Sequence, residues 1–291
     1  MMKLVTFDDG RVARLELEER LVLPLEVAST REYFERDGRV LETGERLALD
    51  DVTLRAPIVP KKFFHTSGNF REHEDESKNV DWSHPMHKGI VFFQNVDAVV
   101  GPDEPVIHPE HLTSELDYEL EIAVVIGRPG KFFGVDDAPD HIAGYVVFND
   151  ITARDIQRRE MESGVFSFCK AIDTFCPVGP YIVTADEIPD AQNLDMELRV
   201  NGVVRQKSNT NRMSVSIPHL VAYHSPQGYS AGDLITTGTV QGVAGFSGDP
   251  DLYLKPGDVV EAEVERLGVL RNPIVSWEQG HGTPVPKKVD W

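Results

Sequence analysis

The chain reads Leu116-Asp117-Tyr118-Glu119-Leu120-Glu121-Ile122-Ala123-Val124-Val125-Ile126-Gly127, a pattern that predicts one buried strand carrying two acids. Side chains alternate between the faces of a strand, so Glu119 and Glu121 point the same way. Buried carboxylates are costly unless positive charge meets them, and their oxygens suit hard divalent cations. Asp150 is the third candidate ligand. The pattern therefore indicates a site for Mg²⁺, Mn²⁺ or Ca²⁺.

The same acids would be ordinary solvated side chains if this strand lay at an exposed sheet edge. The run Ile122-Ala123-Val124-Val125-Ile126 favours burial instead, because continuously apolar strands are typical of positions covered on both faces. Short motifs also match by chance. The local pattern therefore does not decide between a metal site and ordinary solvated acids.

Charge and composition limit the kinds of partner. The 291 residues suffice for one large domain, or for a large and a small one, and the 41% hydrophobic content supports a substantial core. The 29 basic and 48 acidic residues give a net charge of -19, which argues against nucleic acid or an anionic membrane as a partner. An anionic substrate would therefore depend on a local cationic cluster or a metal.

The compartment is predicted from the cysteines and from the start of the chain. Cys169 and Cys176 lack the spacing of a redox pair or a zinc site, so they are interpreted as buried thiols in a reducing environment. The first residues show no signal-peptide core, and no apolar run approaches the roughly 20 residues that span a bilayer. These features predict a cytoplasmic protein.

Three regions are predicted along the chain. Residues 1–60 suggest a small β-rich N-terminal domain, in which Ser29 and Glu32 would cap a short helix. Residues 61–277 show many short strands between Gly, Pro and Asn turns, and they form the larger domain. Residues 278–291 contain glycines, prolines and lysines, so we expect this tail to be mobile or to depend on a partner.

Local turn and helix signals fill in the larger domain. Asn201-Gly202 between alternating strands is typical of a type I′ hairpin, and residues 259–271 suggest another hairpin. Helices are predicted over 152–162, with a threonine at the start, and over 216–223, with a proline in the first turn. The predicted fold class is α+β and rich in β-structure.

A histidine and a glutamate form a second candidate centre. His73 and Glu76 are three residues apart, so they would be neighbours on a helix. A carboxylate beside an imidazole orients the ring and raises its basicity, which suits a base that activates water. The alternative is a charged surface helix with a chance histidine, which the further acids at positions 72, 74 and 75 favour locally.

Three polar side chains beyond the candidate ligands could bind an anionic group. Arg154 and Gln157 would lie about one and two turns after Asp150 if the segment is helical from Thr152, and Lys170 is a lone cation in an apolar stretch. Together they could hold a carboxylate and a developing oxyanion. The alternative is a structural ion pair of Lys170 with Asp173 or Asp155, because a buried lysine needs a partner.

These motifs, together with a glycine-rich loop over residues 232–243, resemble those of the fumarylacetoacetate hydrolase family over residues 61–275. Each motif is weak alone, and the resemblance rests on their common order. The motifs are Asn69-Phe70-Arg71 with His73 and Glu76, Asp117-Tyr118-Glu119-Leu120-Glu121, Gly144-Tyr145, Asn149-Asp150-Ile151-Thr152-Ala153-Arg154-Asp155-Ile156-Gln157, Lys170 with Asp173-Thr174, Val200-Asn201-Gly202, and Thr237-Gly238-Thr239.

The resemblance implies a fold and a set of residue roles. The fold would be a mixed β-sandwich roll with a few short helices, assembled as a homodimer. Mg²⁺ or Mn²⁺ would bind Glu119, Glu121 and Asp150, and His73 with Glu76 would activate water. The predicted contacts to substrate are Lys170, which would also take part in catalysis, Arg154, Gln157, Thr239 at the substrate carboxylate, Asn69 and Arg71.

The chain departs from the family pattern at three places. Thr66 stands where some members have a further metal-binding Asp, which implies three carboxylates plus waters. Gln94-Asn95 follows the Phe-rich strand where many members have Lys-Pro, and Val240 stands where many have Pro. The last two departures affect the prediction of the substrate more than that of the chemistry.

The motifs and the resemblance together predict a metal-dependent hydrolase of the acylpyruvate type. It would cleave a carbon–carbon bond in a small anionic 2,4-diketo acid, in the catabolism of aromatic or related compounds. The alternatives are oxaloacetate decarboxylation and isomerisation of a 2-hydroxyhepta-2,4-diene-1,7-dioate, which share the metal and enolate chemistry. A non-catalytic metal-binding protein of the same fold is a further alternative.

Overall fold

The computed structural model describes residues 2–83, 90–165 and 167–287. Their regular structure consists of nineteen strands, five short α-helices and ten short 3₁₀-helices. The first strands are β1 (Lys3–Phe7), β2 (Arg11–Glu16), β3 (Leu21–Pro24), β4 (Leu47–Ala48), β5 (Leu54–Arg55), β6 (Phe63–Ser67), β7 (Ile90–Phe93), β8 (Val99–Val100) and β9 (Val106–His108). They are followed by β10 (Leu116–Asp117), β11 (Leu120–Ile126), β12 (Ile142–Asn149), β13 (Thr152–Ala153), β14 (Cys176–Thr184), β15 (Asp195–Val200), β16 (Val203–Asn209), β17 (Leu234–Thr236), β18 (Val259–Val264) and β19 (Gly268–Ser276). The helices are α1 (Thr30–Glu35), α2 (Arg71–Glu76), α3 (Arg154–Met161), α4 (Ile217–His224) and α5 (Trp277–His281).

The predicted β-rich fold with a few short helices is confirmed. One large mixed sheet follows the path β4-β3-β2-β1-β14-β12-β11-β17-β6-β7, and a second sheet has the order β16-β15-β18-β19-β9. Within the described part of the chain, no helix is long and apolar enough to cross a membrane.

Strand β11 lies inside the large sheet, between β12 and β17. All seven of its residues are buried. Ile122 and Val124 pack into one hydrophobic cluster, whereas Ala123 and Val125 pack into another, so the strand is covered on both faces. The alternative of an exposed edge strand is therefore wrong.

The single strand predicted over residues 116–127 is broken at Tyr118 and Glu119, so that prediction is wrong in one respect. Before the break, β10 pairs with β13, and the Asp117 carboxylate accepts the Tyr118 N–H at 2.8 Å. The Glu119 N–H donates to the Asn149 side chain at 2.9 Å. Hydrogen bonds to side chains thus replace the strand ladder for two residues before it resumes at β11.

The N-terminal region is rich in strands, and these strands join the large sheet. β1 pairs antiparallel with both β2 and β14, so one hydrogen-bonded sheet crosses the predicted domain boundary at residue 60. Ser29 caps α1 by accepting the Glu32 N–H at 3.1 Å, as predicted. The Glu32 carboxylate accepts the Ala28 N–H at 2.7 Å rather than that of Ser29, so the reciprocal half of the predicted capping box is shifted by one residue.

The predicted hairpins are confirmed, and the helices differ only in their limits. Asn201 and Gly202 join β15 to β16 with positive φ angles of 52° and 76°, as a type I′ turn requires, and β18 pairs with β19. Helix α4 follows its N-cap Ser216. Helix α3 is shorter than predicted, because Thr152 lies in β13 and the helix begins only at Arg154.

The predicted C-terminal tail begins inside a helix. Ser276 caps α5 through reciprocal hydrogen bonds with Gln279. The last part of the tail, residues 288–291, lies outside the described residues. Its mobility and its dependence on a partner stay predictions.

The shared sheet predicts that the N-terminal region unfolds together with the rest of the chain. Phe7 of β1 is fully buried, in the same hydrophobic cluster as Leu120 and Ile122 of β11. Phe7→Ala should therefore lower the free energy of unfolding of the whole protein by about 3–5 kcal/mol in chemical denaturation. Phe132→Ala, at a position 77% exposed, is the control. A separate transition for residues 1–60 would contradict the shared cooperative unit.

Candidate active site

Three carboxylates meet at one end of neighbouring strands in the large sheet. Glu119 lies in the break before β11, Glu121 on β11, and Asp150 directly after β12. Because β11 and β12 are antiparallel neighbours, the start of one lies beside the end of the other. One oxygen of each acid lies within 4.8 Å of the others, and all three residues are at most 5% exposed.

Two buried cationic side chains, those of Lys170 and Arg154, form ion pairs with these acids. The Lys170 Nζ donates to Glu119 Oε2 at 2.8 Å, to Asp150 Oδ2 at 2.7 Å and to the Thr152 hydroxyl at 2.8 Å. Arg154 Nη2 donates to Glu119 Oε1 at 2.6 Å. Burial opposes the charge of Lys170, but Asp150 and Glu119 outweigh it and raise the lysine pKa. The alternative of a structural ion pair between Lys170 and Asp173 or Asp155 is therefore wrong.

The Arg154 side chain is only 1% exposed, and its guanidinium donates hydrogen bonds to three side chains. Besides Glu119, it donates to Asp117 Oδ2 at 2.7 Å and to Gln157 Oε1 at 2.8 Å. Asp117 in turn accepts the N–H groups of Ala244 and Gly245 at 2.9 and 2.8 Å. Asp117 thus anchors the arginine, a role that the sequence did not reveal because its partners lie in distant segments.

The cluster fits a divalent cation. Four buried carboxylates, of Asp117, Glu119, Glu121 and Asp150, face two buried cations, so the cluster lacks two positive charges when all four acids are ionised. Burial, and then the charges of Asp150 and Glu119, raise the pKa of Glu121 well above its usual range. The buried Asp150 Oδ1 has no hydrogen-bond partner among the described residues. Such oxygens suit Mg²⁺ and Mn²⁺, so Glu119, Glu121 and Asp150 would hold the ion.

The His73–Glu76 pair lies at the same cavity as the three carboxylates. The two residues share α2, where His73 Nδ1 lies 2.7 Å from Glu76 Oε1, and Glu76 Oε2 accepts the Gly242 N–H at 2.9 Å. With Nδ1 engaged, Nε2 is the nitrogen left to exchange a proton with a ligand. The helix does carry several acids, as in the surface-helix alternative, but the His73 side chain is only 13% exposed and lines the cavity.

The cavity brings together most of the predicted site residues. Those that line it are Glu119, Glu121, Asp150, His73, Arg154, Gln157, Lys170 and Thr239. Its apolar wall is formed by Trp82, Phe92, Met161 and Phe246. This wall could not be predicted from the sequence, because its four side chains come from separate segments and no local pattern connects them.

Two of the predicted substrate contacts do not line this cavity in the described part of the chain. The Asn69 side chain donates to the carbonyls of Val215 and Thr237 at 3.1 and 3.0 Å, and it accepts the Val215 N–H at 2.8 Å. Asn69 therefore ties loop backbones together. Arg71 is exposed at the first position of α2. The structure does not bring either side chain to the three carboxylates.

The glycine-rich loop approaches a protein carboxylate. The Gly238 N–H donates to Glu121 Oε2 at 3.0 Å, from a backbone with a φ of 80°. The neighbouring Thr239 lines the cavity, but its hydroxyl already donates to the Leu120 carbonyl and accepts from Gln206, both at 3.1 Å. The close backbone approach suggested by the glycines thus supports a candidate metal ligand.

A β-rich fold, a buried acidic triad that could hold a divalent cation and an adjacent histidine are together the features of an enzyme. The family model described as fumarylacetoacetate (FAA) hydrolase C-terminal matches residues 62–275. The chain belongs to the fumarylacetoacetate hydrolase family.

Similar proteins carry several related activities. The mitochondrial oxaloacetate tautomerase fahd2 of Xenopus laevis is 38% identical over 256 residues, which are 84% of this chain and 78% of that protein. A 2-hydroxyhepta-2,4-diene-1,7-dioate isomerase from Mycobacterium marinum has a TM-score of 0.76 and 31% identity, covering 95% of this chain and 99% of the other. The maleylpyruvate hydrolase of Sphingobium sp. SYK-6, in complex with manganese(II) and pyruvate, has a TM-score of 0.74 and 26% identity, covering 94% and 99%.

The charge balance predicts opposite effects of Glu121→Gln on metal binding and on the metal-free protein. Loss of a ligand should weaken Mn²⁺ binding by more than about 100-fold in a calorimetric titration, because loss of an outer partner alone costs about 10- to 100-fold. The folded-state pKa of Glu121 is raised, so its contribution to stability is present at low pH and is lost as pH rises through that pKa. Metal-free Glu121→Gln should therefore resist denaturant better than metal-free wild type at about pH 8.

The control for this pair of measurements is Glu263→Gln on β18, where the side chain is 45% exposed. This variant should leave the Mn²⁺ affinity unchanged and should lower the metal-free stability by at most about 1 kcal/mol, because its ion pair with Arg199 is exposed. Wild-type Mn²⁺ affinity in Glu121→Gln would show that Glu121 is not a ligand.

Proposed function

We propose that the chain is a divalent-metal-dependent enzyme that interconverts the keto and enol forms of a small 2-oxo dicarboxylate such as oxaloacetate. The observation that carries this proposal is that His73, an oriented base, lines the same cavity as three carboxylates suited to a divalent cation. The 38% identity to an oxaloacetate tautomerase supports the substrate class. It favours this reaction over the carbon–carbon hydrolysis predicted from the sequence.

The reaction moves one proton between carbon and oxygen. A bound divalent cation would supply a Lewis acid that lowers the cost of negative charge on the 2-oxo oxygen. His73 Nε2 removes a proton from the carbon beside the 2-oxo group, and Glu76 stabilises the imidazolium through Nδ1. That proton is delivered to the 2-oxo oxygen to give the enol, and the reverse path restores the keto form.

The remaining polar side chains orient the substrate and balance its charge. Lys170 and Arg154 are bonded to the acids of the cluster, so they offset negative charge next to an anionic substrate. Arg154 holds the carbonyl oxygen of Gln157 at 2.8 Å, which leaves the amide NH₂ group as a donor to a substrate carboxylate.

Hydrolysis of an acylpyruvate is the second candidate. The His73–Glu76 pair is suited to activating water, and the similarity to a maleylpyruvate hydrolase complexed with pyruvate supports this reaction. His73 would take a proton from water, whose oxygen would bond to the distal carbonyl carbon. The carbon–carbon bond would then break, and the leaving fragment would accept a proton to become pyruvate. Decarboxylation of oxaloacetate needs no base, so the pair does not favour it.

Several further properties remain predictions. Mg²⁺ or Mn²⁺ is the cofactor that we propose on the basis of the oxygen ligands. The homodimer, the cytoplasmic location, the role in aromatic catabolism and the lack of nucleic-acid and membrane partners rest on the sequence alone.

His73→Ala should separate the base from the metal site. Turnover is followed by the loss of oxaloacetate enol absorbance with Mg²⁺ or Mn²⁺, with and without EDTA. Wild-type turnover should be sensitive to EDTA, and the variant should lose about 10²- to 10⁴-fold in kcat. Its Mn²⁺ affinity should not change, because His73 is not among the three clustered acids. His219→Ala on α4 is the matched control.

The outcomes of this assay distinguish the candidates. Full turnover by His73→Ala would contradict the role of His73 as base. EDTA-sensitive cleavage of an acylpyruvate by wild type, without any effect on the oxaloacetate enol, would favour the second candidate.

Gly242→Ala should shift Glu76, and through it the base His73, without changing either side chain. A Cβ at Gly242 would lie 2.2 Å from the Arg205 carbonyl oxygen, and the φ of 99° is itself unfavourable for alanine. The displaced N–H would no longer hold Glu76, and a shift of about 1 Å in such a group costs about 10²-fold in kcat. Gly248→Ala, with a φ of 74° and open space around it, is the control. Equal kcat values for the two variants would contradict the role of Gly242.

A further inference from the structure

A second histidine, His65 on β6, contacts one of the candidate metal ligands, Asp150. Its side chain is fully buried, and Nδ1 lies 3.3 Å from Asp150 Oδ2. Three aromatic rings surround the imidazole, with centroids at 4.5 Å for Phe63, 4.9 Å for Phe148 and 5.2 Å for Phe92. A histidine in such an apolar cage calls for an explanation other than packing.

The second ring nitrogen of His65 strengthens this argument. A carboxylate oxygen can only accept a hydrogen bond, so the Nδ1 that faces Asp150 carries a proton. Nε2 is buried and has no hydrogen-bond partner among the described residues. An unsatisfied buried polar atom costs about 1–3 kcal/mol, so a phenylalanine would suit the cage better if packing were the only role.

The two oxygens of Asp150 differ in their hydrogen-bond partners. Oδ2 accepts from Lys170 Nζ at 2.7 Å and lies 3.3 Å from His65 Nδ1. Oδ1 has no partner among the described residues. Two donors on separate elements therefore fix one oxygen, and this fixes the direction of the other.

We propose that His65 is a positioning residue that holds Asp150 so that Oδ1 is presented to the divalent cation. This inference rests on the metal site of the proposed function. Outer partners that orient a ligand in this way raise metal affinity although they never touch the ion.

The test is Mn²⁺ affinity measured by calorimetric titration of the metal-stripped full chain. His65→Phe keeps an aromatic ring in the cage but removes the donor, and it should bind Mn²⁺ about 10- to 100-fold more weakly than wild type. His65→Asn offers an amide N–H at the position of Nδ1 and should recover most of that loss. His141→Phe is the matched control. His141 is 9% exposed, is bonded through Nδ1 to the Arg128 carbonyl at 2.8 Å, and is not one of the clustered acids or their partners.

A second measurement separates positioning from packing. Metal-free His65→Phe should stay close to metal-free wild type in denaturant, because removal of the unsatisfied Nε2 offsets the loss of the Nδ1 contact with Asp150. A purely structural histidine would give the reverse result, with lower metal-free stability and unchanged Mn²⁺ affinity, and that result would overturn the proposal. If His65→Phe does not fold, His65→Leu against His65→Asn decides, and equal Mn²⁺ affinities in that pair would overturn it.

The outcomes also separate this inference from the proposed function. Wild-type protein that fails to bind Mn²⁺ would overturn both the metal site and the role of His65. Wild-type protein that binds Mn²⁺, together with a His65→Phe variant of equal affinity, would overturn the role of His65 alone.

Discussion

The burial of like charges is the constraint on which the rest of the structure depends. Removing a carboxylate from water costs several kcal/mol unless opposite charge and hydrogen bonds compensate. Lys170 and Arg154 compensate in part, and each forms two ion pairs within the cluster. Backbone N–H groups from two loops stabilise Asp117 and Glu121 further. The charge that remains unbalanced distinguishes a cation site from a structural ion-pair network.

The acids, the cations and the base come from different parts of the fold. Glu121 and Asp150 depend on two neighbouring strands, the cations lie on α3 and before β14, and His73 lies on α2. Both Glu119 oxygens are bonded to the cations, which makes this acid the anchor of the cluster. Because the base belongs to a separate element, changes around α2 alter the reaction without altering the ligands. This separation is consistent with the tautomerase, isomerase and hydrolase activities of similar proteins.

The parts of the fold that the sequence predicted are those with local causes. The apolar run of β11, the Asn201-Gly202 turn and the Ser29 cap each depend on residues within a few positions of one another. The break at Glu119 depends instead on Asn149, thirty residues away. The role of His65 depends on its contact with Asp150, which is also distant in sequence, and so it could not be predicted from local patterns. The order of the motifs predicted most of the candidate site residues. The hydrogen bonds that orient their side chains join distant segments and could not be predicted in this way.

The sheet that joins β1 to β14 and β14 to β12 forms a continuous hydrogen-bonded path from the N-terminal region to Asp150. Whatever binds the native chain at Asp150 therefore stabilises the whole sheet. A ligand present at 100 times its Kd adds about 2.7 kcal/mol, a large share of the roughly 5–15 kcal/mol typical of a folded protein. Because proteases degrade mainly unfolded chains, a divalent cation bound at the proposed site would also raise the amount of this protein that persists.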